Sequence, residues 1–213
     1  MRLGCPTTFL PNGVDISRFK PVSVEEKCAL RMKYDLPLDG FVVLHVGPIK
    51  RGRNLQVFTE LQAHGCQSLI LGSTTVGMEL GLYRELRQAG CMVWRWYFPH
   101  VQELYALADC YLFPTLRRGE AIELPLSVLE AMACNLPVIS TPFGALERIF
   151  APGDGLNFIR GPEEAVIAIE AVRQGGLPIR TREKVLAYSW DSVAFRLEEV
   201  YNSLLGADQE APG

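Results

Sequence analysis

Apolar residues fall along this chain in short continuous runs, separated by stretches whose apolar positions recur at helical spacing. Phe41 to Val46 is unbroken apolar except for one histidine, the pattern of a strand covered on both faces. Similar runs at Ser68 to Gly72, Met92 to Trp96, Asp109 to Phe113, Leu136 to Ser140 and Leu156 to Ile159 predict five more strands. Between them the pattern predicts helices. Ser23 and Glu26 form a capping-box pair for a helix to about Tyr34, ended by Pro37 and Gly40. Further helices are expected from about Asn54 to His64, Glu79 to Ala89, Val101 to Ala108 and Pro125 to Cys134, with a short one containing Glu147. Gly161-Pro162-Glu163-Glu164 starts another, with proline at the first position and acids at the positive end. The last, about Asp191 to Leu205, carries a stripe of Val193, Leu197, Val200, Tyr201 and Leu204. Alternating strands and helices of this kind predict an α/β fold, a Rossmann-like open parallel sheet with helices on both faces. The predicted domain occupies residues 23–205, after a lead-in of residues 1–22 and before a frayed tail of residues 206–213.

One stretch, Glu120 to Gly144, carries the densest chemistry. Its helix is apolar around most of its circumference, through Leu126, Val128, Leu129, Ala131, Met132, Ala133 and Cys134. Ser127 and Glu130 are the exceptions and share one face, being three residues apart. A carboxylate on a mostly buried helix needs a partner or a polar ligand. The free N–H groups of the first turn attract an anion, and Glu130 lies roughly 7–8 Å further along the axis. That matches the separation between a nucleotide's phosphates and its ribose hydroxyls.

Leu129-Glu130-Ala131-Met132-Ala133-Cys134, with Pro137-Val138-Ile139 and Gly144, resembles the nucleotide-sugar site of the GT-B glycosyltransferases, specifically the retaining family 4. Two other segments extend the resemblance over nearly the whole chain. Pro11-Asn12-Gly13-Val14-Asp15 with Phe19 and Pro21 is similar to the family's interdomain segment, and Glu103 to Asp109 with Phe113-Pro114 to a second motif. The chain is thereby read as the C-terminal, donor-binding half of a GT-B fold.

Gly47 to Arg53, reading GPIKRGR, joins a predicted strand to a predicted helix and carries three cations. Such a turn is either solvated or a diphosphate cradle, and the resemblance favours the cradle. The family shows Gly-Arg, a spacer and Lys-Gly. Here Pro48 replaces that Arg and Arg51-Gly52 aligns most naturally with Lys-Gly, so Lys50, Arg51 and Arg53 compete for the phosphate role. Tyr97 and Phe98, in a loop with His100, sit where the family holds the nucleobase, although aromatics after a strand also serve as core. The family's sugar-contacting Glu has its counterpart at Ile122, which leaves Glu123 and Glu120 as substitutes or the role lost. Leu124, Ser127 and Glu130 complete the donor set, and Gly144 either lets a backbone approach closely or makes the turn.

Composition narrows the picture. The 213 residues, 48% hydrophobic, allow one large domain with a sizeable core. A net charge of −3 gives no sign of a nucleic-acid binder. The six cysteines (Cys5, Cys28, Cys66, Cys91, Cys110, Cys134) contain no C-x-x-C pair, which favours buried free thiols in a reducing compartment over a metal site. No apolar run reaches the roughly 20 residues of a bilayer span. A cytoplasmic protein is expected, with peripheral membrane association compatible in a complete enzyme.

The resemblance implies transfer of a sugar from a nucleotide-diphosphate sugar with retention at the anomeric carbon, with no metal and no other cofactor. Arg51 or Lys50 would supply the catalytic cation and Glu123 would hold the sugar. The acceptor is not legible. The family's acceptor-binding domain precedes the interdomain segment, so an N-terminal domain or a separate polypeptide is expected to supply it, with a fragment preferred over a split enzyme. In relatives the C-terminal segment crosses back to that domain. A non-catalytic nucleotide-sugar-binding partner is the alternative, motivated by Pro48 and Ile122. A sugar-nucleotide epimerase fits the motifs less well.

Overall fold

A computed structural model describes residues 7–176 and 178–207. Six strands form one sheet, all parallel: β1 (Phe41–Val46), β2 (Cys66–Leu71), β3 (Met92–Trp94), β4 (Cys110–Phe113), β5 (Val138–Ser140) and β6 (Leu156–Phe158). Their spatial order is β3-β2-β1-β4-β5-β6. The chain therefore builds outward from β1 in one direction, returns to its other side and builds outward again. Nine helices accompany them among the described residues: α1 (Val24–Lys33), α2 (Val57–Ala63), α3 (Leu80–Gln88), α4 (Val101–Leu107), α5 (Leu126–Ala133), α6 (Leu146–Ile149), α7 (Ala165–Gln174), α8 (Thr181–Val185) and α9 (Trp190–Ala207).

The period of two along each strand sorts the core into two layers. Val42, Leu44, Leu69, Tyr111 and Val138 face one side, where Leu104, Val128, Leu129 and Met132 of α4 and α5 pack. Val43, Ile70, Cys110, Leu112 and Ile139 face the other, against Phe58 and Leu61 of α2, Leu82 and Leu86 of α3, and Ile169 of α7. Covered on both faces, the strands have no need of polar alternation, which is why they read as continuous apolar runs.

The Ser23–Glu26 capping box forms as expected, each side chain meeting the other residue's backbone N–H. Behind α1, Arg31 is buried and donates to Leu107 O, Leu38 O, Gly40 O and the Asp109 carboxylate. Asp109 also takes Lys27 Nζ at 2.6 Å and caps the Val42 N–H at 2.7 Å. These bonds fix α1 to the starting ends of β1 and β4. Removing Asp109 leaves the buried Arg31 guanidinium with carbonyl acceptors and no carboxylate to balance its charge, a loss of up to about 3–5 kcal/mol.

Several expected boundaries move. α2 begins at Val57 rather than Asn54, because residues 51–53 form a 3-10 turn that Asn54 ends in the left-handed region (φ 57°). Pro125 precedes α5 as its N-cap with ψ 120°, one position outside the helix. β3 stops at Trp94, so Trp96 lies beyond the ladder. Pro162–Glu164 is a 3-10 turn leading into α7, and α8 was not expected at all. In α9, Val193 is buried while Tyr201 and Leu204 are more than half exposed, so the expected stripe is only partly covered. α9 runs to Ala207, past the expected end at Leu205; residues 208–213 of the expected tail, and Cys5, lie outside the described residues.

The lead-in segment is tied to the domain at both ends of α5. Asn12 Nδ2 donates to Leu124 O at 3.1 Å. Arg182 of α8 donates to Ile16 O, Phe19 O and Ala133 O.

Candidate functional site

β1 is the point where the strand order reverses. Its following helix, α2, packs on one face of the sheet, whereas α5, which follows the neighbouring β4, packs on the other. The two connections diverge and leave a crevice at the carboxyl ends of β1 and β4. Val46, Gly47 and Pro48 floor two adjoining lobes of this crevice, of about 330 and 500 Å³, within the range of small-molecule sites.

The larger lobe holds the cations. Lys50 and Arg53 line it, opposite Pro125, Leu126 and Ser127 at the start of α5. No side chain caps that helix, and in its first turn Val128 N–H meets Pro125 O at 3.1 Å while the N–H groups of Leu126 and Ser127 have no intrahelical acceptor. An anion in this lobe therefore meets a guanidinium, an ammonium and a positive helix end together. Arg53 is only 7% exposed, and its Nη2 donates to Glu120 O. Burial pulls its pKa down, yet an arginine stays charged. Gly47 makes room for it: with φ 154°, a Cβ there would sit 2.5 Å from Arg53 Nη1.

Arg51 is placed elsewhere. Its guanidinium pairs with Glu85 of α3 at 2.6 Å, and its backbone N–H donates to Glu79 at 3.1 Å. A 3-10 turn advances about 120° per residue, so residues 51 and 53 face different sides. The residue that aligns with the family's Lys thus points to the flank, and Arg53 with Lys50 occupies the crevice.

The loop before α5 forms the outer wall. Ile122 lines the larger lobe and is 53% exposed, while the Glu120 side chain packs over Gly52. Glu123 is exposed and is not among the residues lining either lobe; its carbonyl accepts from Ala145 N at 2.8 Å. Gly144 makes that contact possible. At φ 58°, a Cβ on Gly144 would fall 2.1 Å from Glu123 O. The close backbone approach at Gly144 is therefore to its own chain. Leu124 is 2% exposed within the core, so only its backbone is left to meet a ligand.

The smaller lobe is walled by aromatics. Phe98 stacks on Trp94 (5.8 Å between centroids, 9° between planes), and Trp96 stacks on the same Trp94 at 5.3 Å. Trp96, Tyr97 and Phe98 line the lobe beside Ser73 and Thr74. Tyr97 is exposed, as is His100 at the start of α4. Trp96 was missed from the sequence because it reads as the last residue of a longer strand.

Glu130 opens into a third recess, shared with Asp15, Arg18, Leu126 and Trp190. Leu126 separates this recess from the larger lobe. Tyr105 Oη donates to Glu130 Oε2 at 2.6 Å. Burial pushes the Glu130 carboxyl above the usual carboxylate range; the Tyr105 hydrogen bond and the charge of Arg18 pull the other way. The carboxylate has a structural partner and keeps further acceptor capacity for hydroxyl groups. Among the described residues no group of three or more His, Cys, Asp or Glu is placed to hold a metal ion. None of the described helices is long and apolar enough to cross a membrane.

The sequence pattern of the family described as "Glycosyl transferases group 1" matches residues 41–174, from β1 to the end of α7. The chain belongs to this family. A curated relative is the GDP-mannose-dependent monoacylated alpha-(1-6)-phosphatidylinositol monomannoside mannosyltransferase of Corynebacterium glutamicum, 27% identical over 94% of this chain and 58% of that protein. This group 1 chain spans about half the length of the curated relatives it matches. Sucrose-phosphate synthase from Thermosynechococcus elongatus shares its fold with a TM-score of 0.76 at 22% identity, over 94% of this chain and 53% of that one. The C-terminal domain of a group 1 glycosyl transferase from Francisella tularensis matches with a TM-score of 0.58 at 17% identity, over 87% of this chain and 98% of that domain. The resemblance to GT-B glycosyltransferases and the Rossmann-like parallel sheet are thereby both borne out.

Proposed function

We propose that this group 1 glycosyltransferase domain binds the donor, a nucleotide-diphosphate sugar, and supports transfer of its sugar with retention at the anomeric carbon. The observation that carries this reading is the buried Arg53 guanidinium facing the uncapped start of α5 across one lobe. In this reading the nucleobase lies on Trp96 and Phe98, the ribose hydroxyls donate to Glu130 and the diphosphate spans Arg53, Lys50 and the first turn of α5. The GDP-mannose dependence of the Corynebacterium relative supports a donor of this class.

Transfer breaks the bond between the anomeric carbon and a β-phosphate oxygen while the acceptor oxygen bonds to the same face of the sugar and its proton passes to the departing diphosphate. Negative charge grows on the departing diphosphate. Arg53 and the α5 N–H groups are held where that charge appears and Lys50 lines the same lobe, so they stabilise the transition state with little reorganisation. The proposed mechanism assigns this role to side chains and backbone and uses no metal. The acceptor side is assigned to a second domain, since the crevice is open and a lone donor half forgoes the roughly 7–11 kcal/mol available from holding both reactants in place. Cys66, Cys91, Cys110 and Cys134 are buried free thiols, which supports a reducing, cytoplasmic setting.

Ile122 on the sugar side and Pro48 on the floor favour a second reading, a partner that binds the nucleotide sugar without catalysis. One assay separates the two. The chain is supplied with its best-binding sugar nucleotide and an acceptor, alone and joined to an acceptor-side domain, and the product's anomeric proton is followed by NMR. Transfer with retained configuration only in the joined form is expected. Inversion, or robust transfer by the chain alone, contradicts the proposal, and binding without transfer in the joined form selects the second reading.

A further inference from the structure

One buried titratable group plays no part in the reading above. His45, on β1, is wholly buried beneath the floor of the crevice. Its ring is held by Phe58, Tyr111 and Phe113, with centroids 5.9–6.3 Å away. Nδ1 lies 3.0 Å from Leu112 O, an acceptor only, so Nδ1 carries the proton and Nε2 presents a lone pair. Burial, helped by the nearby Arg53 charge, lowers the pKa of His45 to about 3, so the ring is neutral at physiological pH.

Among the described residues nothing hydrogen-bonds His45 Nε2 or Arg53 Nε, although both atoms are buried. The two side chains are neighbours under Gly47. A Cβ on Gly47 would lie 3.3 Å from His45 Nε2 and 2.5 Å from Arg53 Nη1. A lone pair thus sits in the interior next to a guanidinium that Glu120 O holds by its Nη2 alone. Resting on the proposed role of Arg53, we propose that His45 is a positioning residue: its neutral imidazole offers Nε2 to Arg53 from below and orients the guanidinium toward the diphosphate. A buried acceptor in a cation site must itself be uncharged, because a second positive charge would repel Arg53. Burial and the Arg53 charge keep the ring neutral, and the Leu112 carbonyl selects the tautomer that leaves Nε2 as the acceptor.

The test has two arms. The first needs no ligand. Long-range ¹H–¹⁵N NMR on the whole chain reads the His45 tautomer and the Nε2 shift, in wild type and in Arg53→Gln. The expected result is a ring protonated on Nδ1 whose Nε2 resonance moves on that substitution. A proton on Nε2, or a resonance indifferent to Arg53, overturns the proposal whether or not nucleotides bind. The second arm measures UDP, GDP and ADP binding against the matching nucleosides. His45→Phe is expected to weaken diphosphate binding about five- to tenfold with nucleoside binding unchanged, and His45→Gln, which keeps an acceptor, to restore most of the loss. In an Arg53→Gln background the His45→Phe change should have no further effect. Equal losses for nucleoside and diphosphate, or an undiminished loss without Arg53, mark a structural role and overturn the proposal. Wild type that binds none of the three diphosphates refutes the donor-site reading instead, and the first arm still decides His45.

Discussion

Neutralising Arg53 and Arg51 separately distinguishes the structural placement of the cations from their alignment in the sequence. Arg53 is 7% exposed and lines the larger lobe, whereas the Arg51 side chain is 49% exposed and paired with Glu85 on α3. A charge-assisted hydrogen bond to phosphate in a partly dry crevice contributes about 1.5–3 kcal/mol, so Arg53→Gln should weaken nucleoside diphosphate binding about 10- to 150-fold. Arg51→Gln removes only a surface ion pair, worth roughly 0–1 kcal/mol of stability, and a charge that solvent and salt screen from the crevice. Its effect on diphosphate binding should stay below about threefold. Calorimetric titration of both variants with a diphosphate and its nucleoside gives the comparison, and nucleoside binding should be unchanged in both. A larger loss in Arg51→Gln than in Arg53→Gln, or equal losses of nucleoside and diphosphate in Arg53→Gln, would refute the assignment.

Three further outcomes follow from the same geometry. Glu130→Gln should weaken nucleotide binding by about 1–3 kcal/mol while leaving stability at neutral pH equal or higher, because the charged form is the one that burial disfavours. The folded-state pKa is raised above its ordinary 4.5, so between those two values the folded chain holds more proton than the unfolded one. The Glu130 contribution to wild-type stability then falls as pH rises through that window, so the stability of Glu130→Gln relative to wild type should rise across it in pH-dependent denaturant melts; a difference that does not change with pH contradicts this. Trp96→Ala should cost nucleoside and diphosphate binding equally, about 1–3 kcal/mol, since only stacking is lost; a loss confined to the diphosphate would remove Trp96 from the base site. Gly144→Ala should destabilise the chain by at least about 1–3 kcal/mol in urea denaturation, because a Cβ at φ 58° collides with the Glu123 carbonyl; a neutral result would mean that the turn tolerates another path.

The parts of the fold legible in the sequence were those set by local pattern. Phe41 to Val46 is a strand at its predicted limits because a run covered on both faces has no polar interruption at its ends. The α5 stretch was legible for the same reason, although Leu126, counted among its buried residues, is 38% exposed and lines the crevice. α8 was missed because five residues reading TREKV carry no helical stripe. It is anchored by tertiary bonds, Thr181 to Leu136 O and Arg182 to the backbone of the lead-in segment. Which cation faces the crevice was hidden as well. It depends on a single 3-10 turn and on Asn54 in the left-handed region, and no spacing rule distinguishes that path from the start of an α-helix. His45 reads only as a polar interruption in a strand until the fold sets it beside Arg53.

The proposed donor site requires that the crevice between β1 and β4 hold a nucleoside diphosphate. The decisive experiment is an amide-resolved NMR titration of the chain with UDP, GDP and ADP. Saturable binding of at least one of them is expected, with the largest shifts at Gly47, Arg53, Leu126 and Ser127 and at the Trp96 indole. Titrations that leave every resonance unmoved with all three nucleotides, or shifts that gather away from this crevice, would contradict it.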